Sequence, residues 1–274
     1  MELKKVAIQG IVGSFHEEAA HKFFGDEIQT IECNTFRDLA QIIDKEEVDF
    51  GMMAIENTIA GSLLANYSLM REYHLKIIGE QFIHIHMNLM ALPGVKIEDL
   101  SFITSHPIAL AQSAEYLYTL KHATLVEHLD TAAAAKDISD KGLTNTAAVA
   151  SATAAKLYGL NILEKNIETN KKNYTRFLVL SKHIVNGAEN NKATICFELG
   201  HYIGALANVL MILSDNKINL TKIQSVPIIG KPYEYIFHVD IEYDKSEFYE
   251  KALKKILRNV SSFSVLGEYK KGGF

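Results

Sequence analysis

The sequence predicts an α/β protein in two parts, an open-sheet unit over residues 1–184 and a smaller βαββαβ unit over 193–274, joined by a linker at 185–192. Three observations carry this. Apolar runs of strand length alternate with amphipathic helical segments through the first part, the pattern of an open α/β sheet. Val185-Asn186-Gly187-Ala188-Glu189-Asn190-Asn191-Lys192 interrupts that pattern with turn-forming and polar residues. Beyond it the order strand, helix, strand, strand, helix, strand is the ferredoxin-like arrangement.

Taken in order, Lys5–Gln9 reads as a strand ending at Gly10-Ile11-Val12-Gly13-Ser14, and Phe15–Phe24 as a helix whose apolar face carries Ala19, Ala20, Phe23 and Phe24. Ser14 stands where an N-cap is wanted, and such a junction leaves backbone N–H groups free to meet an anion. Thr35–Glu46 is an amphipathic helix. Val48–Ile55 is a buried strand that turns polar at Glu56-Asn57-Thr58, and Gly61-Ser62 opens a helix reaching about Tyr73. Leu75–Ile85 and Met87–Leu92 read as strands, with Pro93-Gly94 a turn. Leu100–Ile103 leads through Thr104-Ser105-His106 to a helix begun by Pro107, whose ring suits a first helical turn. Asp130-Thr131 follows Leu125-Val126-Glu127 and caps the alanine-rich helix Ala132–Asp140; Thr146–Val149 is a strand and Ser151–Tyr158 a helix. In the second unit, strands are expected over Ala193–Leu199, Asn219–Val226, Tyr233–Tyr243 and Val260–Tyr269, with helices over Gly204–Ser214 and Ser246–Arg258.

At 274 residues and 48% hydrophobic composition, both units can fill cores. Net charge is −5 and the basic residues are scattered, in clusters as small as Lys171-Lys172, so nucleic acid is not an expected partner. No apolar run approaches membrane-spanning length and no secretory signal opens the chain, which points to the cytoplasm and away from a membrane. Cys33 and Cys196 lie far apart and read as free thiols of a reducing compartment. His84 and His86 alternate as on a strand and no HExxH occurs, so no metal is expected.

Four strand-to-helix junctions carry hydroxyls at or near the helix start: Ser14, Thr58 with Ser62, Ser105 and Thr131. Ligands of open α/β sheets gather beyond the carboxyl ends of the strands. Junctions of this kind facing one crevice suit a small polyanion; with no P-loop lysine and no GxGxxG, a nucleotide is disfavoured. The stretch Asn173-Tyr174-Thr175-Arg176-Phe177, followed by Leu178-Val179-Leu180, sets an amide, a hydroxyl and a guanidinium at the mouth of a buried strand. By itself it either anchors a turn or holds a polar ligand.

These motifs, in this order, resemble the prephenate dehydratase family, in its monofunctional bacterial form with a C-terminal ACT domain. The resemblance covers essentially the whole chain. It is carried by Gly10-x-x-Gly13-Ser14-Phe15 with Ala19-Ala20, Ile55-Glu56-Asn57-Thr58-x-x-Gly61-Ser62, Ser105-His106-Pro107 with Gln112, Asp130-Thr131-Ala132, Ala154-Ala155-x-Leu157-Tyr158-Gly159-Leu160 and Asn173-Tyr174-Thr175-Arg176-Phe177. It implies two catalytic lobes shaped like type II periplasmic binding proteins, at about 1–77 with 163–182 and 78–162, with the site between them. The implied reaction removes CO2 and water from prephenate to give phenylpyruvate without a cofactor. The family's precedent gives Thr175 the part of donor to the departing hydroxyl. Ser14, Asn57, Thr58, Ser105, Gln112, Thr131, Asn173, Arg176 and Phe177 are the candidates for holding substrate. Arg176 either pairs with a carboxylate, which its planar fork suits, or braces the loop; Phe177 reads as wall and Glu56 as an acceptor of amides. Two positions depart from the family pattern: His16, often serine, and Ile108, often glutamine.

In the second unit Gly204-Ala205-Leu206 and Asn219-Leu220 match the family's effector motifs, and Gln224-Ser225 occupy the place of a third; these motifs bind L-phenylalanine between paired subunits, so a homodimer or homotetramer is implied. Gln224-Ser225-Val226-Pro227 stands for Glu-Ser-Arg-Pro, losing an acid and a base, and Ile203 stands for a proline. The alternatives are an arogenate dehydratase and a non-catalytic amino-acid sensor; an intact Asn173-x-Thr175-Arg176-Phe177 speaks against the sensor.

Overall fold

The computed structural model describes residues 3–184 and 189–273; residues 185–188 of the expected linker lie outside the described residues. The chain first lays down β1 (Lys4–Gln9), β2 (Ile28–Cys33), β3 (Phe50–Asn57), β4 (Gly61–Ser62) and β5 (Lys76–His84) with helices α1 (Phe15–Phe24), α2 (Phe36–Asp44) and α3 (Leu64–Glu72). It then crosses into a second sheet of β6 (Asn88–Ala91), β7 (Phe102–Ser105), β8 (Thr124–Glu127), β9 (Thr146–Ala150) and β10 (Asn161–Glu164). Helices α4 (Pro107–Gln112), α5 (Ala114–Leu117), α6 (Thr131–Lys141) and α7 (Ala152–Leu157) accompany that sheet. The chain returns as β11 (Tyr174–Ser181), which inserts between β3 and β5. The strand orders are β2-β1-β3-β11-β5, with β4 on β3, and β10-β6-β9-β7-β8.

The first crossing falls at residues 85–87, later than the expected 77/78 boundary, because all of β5 pairs with β11, from Ser181↔Lys76 to Tyr174↔His84. The two crossings are laced together. Ile85 N–H donates to Asn173 O (2.7 Å), Ile167 N–H to Met87 O (2.8 Å) and Met87 N–H to the buried Glu168 Oε2 (2.9 Å). Strands β2 and β10, absent from the sequence reading, are edge strands of mixed polarity, which blurs the alternation that marks a strand. Gly61-Ser62 forms a two-residue strand on β3 instead of a helix start, and α3 begins after Leu63 without a side-chain cap.

A third sheet follows: β12 (Lys192–Glu198), α8 (Ala205–Asp215), β13 (Asn219–Pro227), β14 (Tyr235–Glu242), α9 (Ser246–Ile256) and β15 (Ser262–Tyr269), in the antiparallel order β13-β14-β12-β15. It is the βαββαβ order the sequence predicts. This sheet docks on the first, and alternation along β11 explains how. Phe177 and Val179 enter the core shared by β1, α1 and the second sheet, whereas Leu178 and Leu180 face the other way, onto Cys196, Ile236, Leu266 and Tyr269 of the third sheet. The contact is close: a Cβ on Gly267 would lie 2.0 Å from the Ile77 carbonyl oxygen.

Candidate active site

Strands β3 and β11 pair antiparallel, and the register sets Thr175 opposite Asn57 at the carboxyl end of β3. The Asn57 amide donates to Asn173 Oδ1 (2.7 Å) and to Thr175 Oγ1 (3.0 Å). Its own Oδ1 accepts from the backbone N–H groups of Ile59 (3.0 Å) and Ala60 (2.8 Å), which fixes the amide's orientation. Gln112, at the end of α4 in the second lobe, donates to Asn57 Oδ1 (3.3 Å) and accepts from the buried Asn173 amide (2.9 Å). Asn57, Gln112, Asn173 and Thr175 therefore form one continuous network that bridges the two lobes. Because Thr175 Oγ1 already accepts a hydrogen bond, its own proton is free to be donated. Accepting that bond also polarises the O–H, as in any hydrogen-bond chain.

Of the other candidate hydroxyls, Ser14 sits as the sequence predicts, whereas Ser105, Thr131 and Thr58 are engaged differently. Ser14 does cap α1, accepting from Glu17 N–H (3.4 Å), and is buried. Ser105 does not cap α4: it is fully buried and donates to Val149 O (2.5 Å), while His106 caps the helix. Thr131 is the first residue of α6, and Asp130 is the cap, accepting from Ala133 N–H (2.9 Å). Thr58 donates to Lys172 O and accepts from Tyr174 N–H, both at 3.0 Å, so it stitches the two strand ends together. Ser14, Ser105 and Thr58 thus each hold protein backbone, Thr58 alone joining the ends of β3 and β11.

The glycine loop after β1 lies against the second lobe. Ser151 and Tyr158 donate to Gly13 O (2.9 Å) and Val12 O (2.5 Å). Gly10 (φ 95°) approaches Asp130 so closely that a Cβ there would lie 2.9 Å from a carboxylate oxygen. The starts of α1, α6 and α7 therefore converge on this loop. His16 follows on α1, its ring 4.9 Å from Phe177 and 5.5 Å from Phe36. Its Nε2 is buried with no hydrogen-bond partner, and burial lowers its pKa to about 3, so the imidazole is neutral at ordinary pH. Phe177 is buried in the core shared by the first sheet, α1 and the second sheet, with its ring against His16.

Arg176 is the clearest correction. It lies on the reverse face of β11, buried, donating from Nε to Glu80 Oε2 (2.7 Å), from Nη1 to Asp240 and from Nη2 to the Tyr269 hydroxyl (3.1 Å). One residue along from Thr175, pleating turns the side chain away from the crevice and into the third sheet, so no nitrogen fork is left for a ligand carboxylate. Burial opposes the charge on Asp240, but Arg176 and the hydrogen bond from Thr194 (2.7 Å) outweigh it and hold the carboxyl below its ordinary value. Glu56 likewise pairs with Lys222 (2.7 Å) instead of accepting backbone amides. The residues of this reverse face, Glu80, Lys222, Asp240 and Tyr269, are not among the candidate site residues that the sequence singles out. Their signal was present: a lone acid inside each apolar strand, in Ile78-Gly79-Glu80-Gln81-Phe82 and His238-Val239-Asp240-Ile241, requires a cation nearby.

The effector candidates fall into two groups within one chain. Gly204, Ala205 and Leu206 line a pocket of about 400 Å³ with Tyr202, Tyr233 and Phe237. Asn219 and Leu220 line another, of about 530 Å³, with Leu210 and Lys217. Gln224 and the exposed Ser225 sit farther along the edge strand β13, in neither pocket. Among the described residues no group of histidine, cysteine and acidic side chains is placed to hold a metal, and no helix is long and apolar enough to cross a membrane.

Two lobes joined by two crossings, with an amide-and-hydroxyl network spanning the junction between them, define a two-lobed α/β protein with polar side chains gathered where the lobes meet. The chain belongs to the prephenate dehydratase family, whose model matches residues 6–185. Among curated relatives, "Arogenate dehydratase/prephenate dehydratase 2, chloroplastic" of Arabidopsis thaliana is 37% identical over 97% of this chain and 72% of its own length. Among solved structures, a prephenate dehydratase from Arthrobacter aurescens in complex with L-Phe superposes with TM-score 0.85 at 26% identity, over 97% of this chain and 89% of that one. A structure described as GqqA, a novel type of quorum quenching acylases, superposes with TM-score 0.88 at 28% identity over 98% of both chains.

Proposed function

We propose that the chain converts prephenate to phenylpyruvate, carbon dioxide and water, as a feedback-regulated step of L-phenylalanine synthesis. The reading rests above all on the Asn57–Thr175 hydrogen bond, which leaves one hydroxyl proton to offer at the junction of the two lobes. As the ring carboxylate departs as CO2, its electron pair enters the ring, the C–O bond of the 4-hydroxyl breaks, and the leaving oxygen takes the Thr175 proton to become water; Thr175 then recovers a proton from solvent, so one proton is consumed per turnover. Aromatisation drives the step. General acid assistance of this kind is typically worth about 10²–10⁴-fold. Ser14, Asn57, Gln112 and Asn173 orient the dianion, with Phe177 as apolar wall. Amides and hydroxyls in place of a cation also suit the chemistry, since a strongly bound carboxylate leaves less readily as CO2.

In this reading the two lobes work as those of type II periplasmic binding proteins do, and residues 193–274 are an ACT domain taking L-phenylalanine. Support for the effector comes from the Arthrobacter aurescens relative in complex with L-Phe, and from the pocket at Gly204-Ala205-Leu206. Pairing of two copies along β13 would unite residues that one chain keeps apart. The exposed Met211 and Ile223 beside that edge favour such a homodimer or homotetramer. The free buried thiols Cys33 and Cys196 accord with the cytoplasm. The test is to follow phenylpyruvate formation from prephenate with and without L-phenylalanine, and beside it turnover of arogenate. Turnover that L-phenylalanine lowers is expected; no turnover of prephenate overturns the reading.

A further inference from the structure

The reverse face of the Asn57–Thr175 pair is held by the third sheet through two matched cross-strand pairs. On the β3–β11 ladder the next rung sets Arg176 opposite Glu56. On the β13–β14 ladder Lys222 stands opposite Asp240. The two rungs dock with complementary charge: Arg176 binds Asp240, and Lys222 binds Glu56 at 2.7 Å while also donating to Ser62 Oγ at 3.0 Å. Each residue so gripped is bonded along the chain to one member of the proposed donor pair, Glu56 to Asn57 and Arg176 to Thr175. Around the quartet, Glu80 receives Lys192 at 2.9 and 3.1 Å, and Asp240 receives Thr194 at 2.7 Å. The arrangement is buried on the Arg176, Glu80 and Asp240 side, while Glu56 is partly exposed.

We propose that Lys222 and Asp240 of the C-terminal unit are positioning residues for the Asn57–Thr175 pair, so that the strand pair β13–β14 sets the geometry of the donor in the same chain. The inference deepens the dehydratase reading and rests on it for the effect on rate. It also gives regulation a physical path. Lys222 lies on β13 between Asn219-Leu220 and Gln224-Ser225, so a ligand that shifts β13 acts on Glu56 through one ion pair. Lys222 touches no residue of the crevice itself among its hydrogen-bond and ion-pair partners, which makes it a support and not a catalytic group.

The test uses the full chain with Lys222→Met, Lys222→Arg and Ile256→Val, the last loosening the core of the same unit away from the quartet. Lys222 is the better site than the buried Asp240, because Glu56 is 38% exposed and keeps part of its hydration when its partner is removed. Displacements of about an ångström at a reacting group are worth up to about 10²-fold, and the expected result for Lys222→Met is a fall in kcat of about 10-fold with KM for prephenate within twofold. Amide hydrogen exchange over residues 55–60 and 173–177 should quicken in parallel. Lys222→Arg should recover most of kcat, and Ile256→Val should lower Tm while leaving kcat and that exchange unchanged. Wild-type kcat and wild-type exchange in Lys222→Met would overturn the inference, as would an equal loss of kcat in Ile256→Val. If the wild-type chain fails to turn over prephenate, the dehydratase reading falls, and the exchange comparison alone decides the coupling.

Discussion

The Asn57 amide and the Thr175 hydroxyl face each other across one rung of the β3–β11 ladder, 3.0 Å apart, with the amide as donor. The direction of that bond matters more than its length. A hydroxyl that accepts from Asn57 keeps its proton for a third party; one that must donate to its neighbour does not. Asn57→Asp reverses the direction, since a carboxylate only accepts and would capture the Thr175 proton. We expect kcat to fall by about 10²-fold or more, within the range general acid catalysis contributes. KM should rise, because a new negative charge faces a doubly negative substrate. Steady-state kinetics at neutral pH check this.

Arg176 lies beside that pair in sequence but serves the opposite face. Removing it leaves the carboxylates of Glu80 and Asp240 buried with one cation fewer. Truncating one partner of such a network costs about 3–5 kcal/mol, so Arg176→Met should lower stability by that order in urea unfolding. Arg176→Lys should not restore it, because three separate nitrogens are engaged and an ammonium cannot span them.

This residue marks where the sequence was legible and where it was not. Strand and helix order followed from periodicity, and the motif Asn173-Tyr174-Thr175-Arg176-Phe177 was visible as a polar mouth on a buried strand. What the one-dimensional pattern could not tell was which side of β11 each polar residue takes, because that depends on what packs against the second face. Ser105 and Thr58 posed the same difficulty. Both are hydroxyls at strand ends, yet each is spent on a carbonyl of a strand or loop distant in sequence, Val149 and Lys172, which no local spacing reveals. Of the expected capping pair Asp130-Thr131, Asp130 supplies the cap and Thr131 is already the first helical residue, a one-residue shift of the helix start.

Two histidines give the fold an acid limit. Burial lowers His16 to about 3 and His238 to about 4, and neither Nε2 has a hydrogen-bond partner. The unfolded chain takes up these protons near pH 6.5 and the folded chain does not. Stability is therefore fully present above pH 6.5 and declines as pH falls toward 4, by about 1.4 kcal/mol per pH unit for each proton taken up only on unfolding. Replacing the buried His238 with leucine should flatten part of that slope in unfolding midpoints measured from pH 7 to 4. An unchanged slope would contradict the assignment.

Gly267 tests the docking of the third sheet on the first. With no room between its Cα and the Ile77 carbonyl, Gly267→Ala must push β15 off β5. Overpacking typically costs about 1–3 kcal/mol, and a lower Tm is expected. If docking supports the donor pair as proposed, kcat should also fall, though neither strand residue touches the crevice.

The most direct measurement is turnover of prephenate by Thr175→Ala beside the wild-type chain, with Tm recorded for both. Thr175 is half-buried and its hydroxyl holds one hydrogen bond, so its loss should change stability by only about 1 kcal/mol. The account predicts a fall in kcat of about 10²-fold or more at nearly unchanged Tm. A variant that forms phenylpyruvate at the wild-type rate would show that the proton comes from elsewhere.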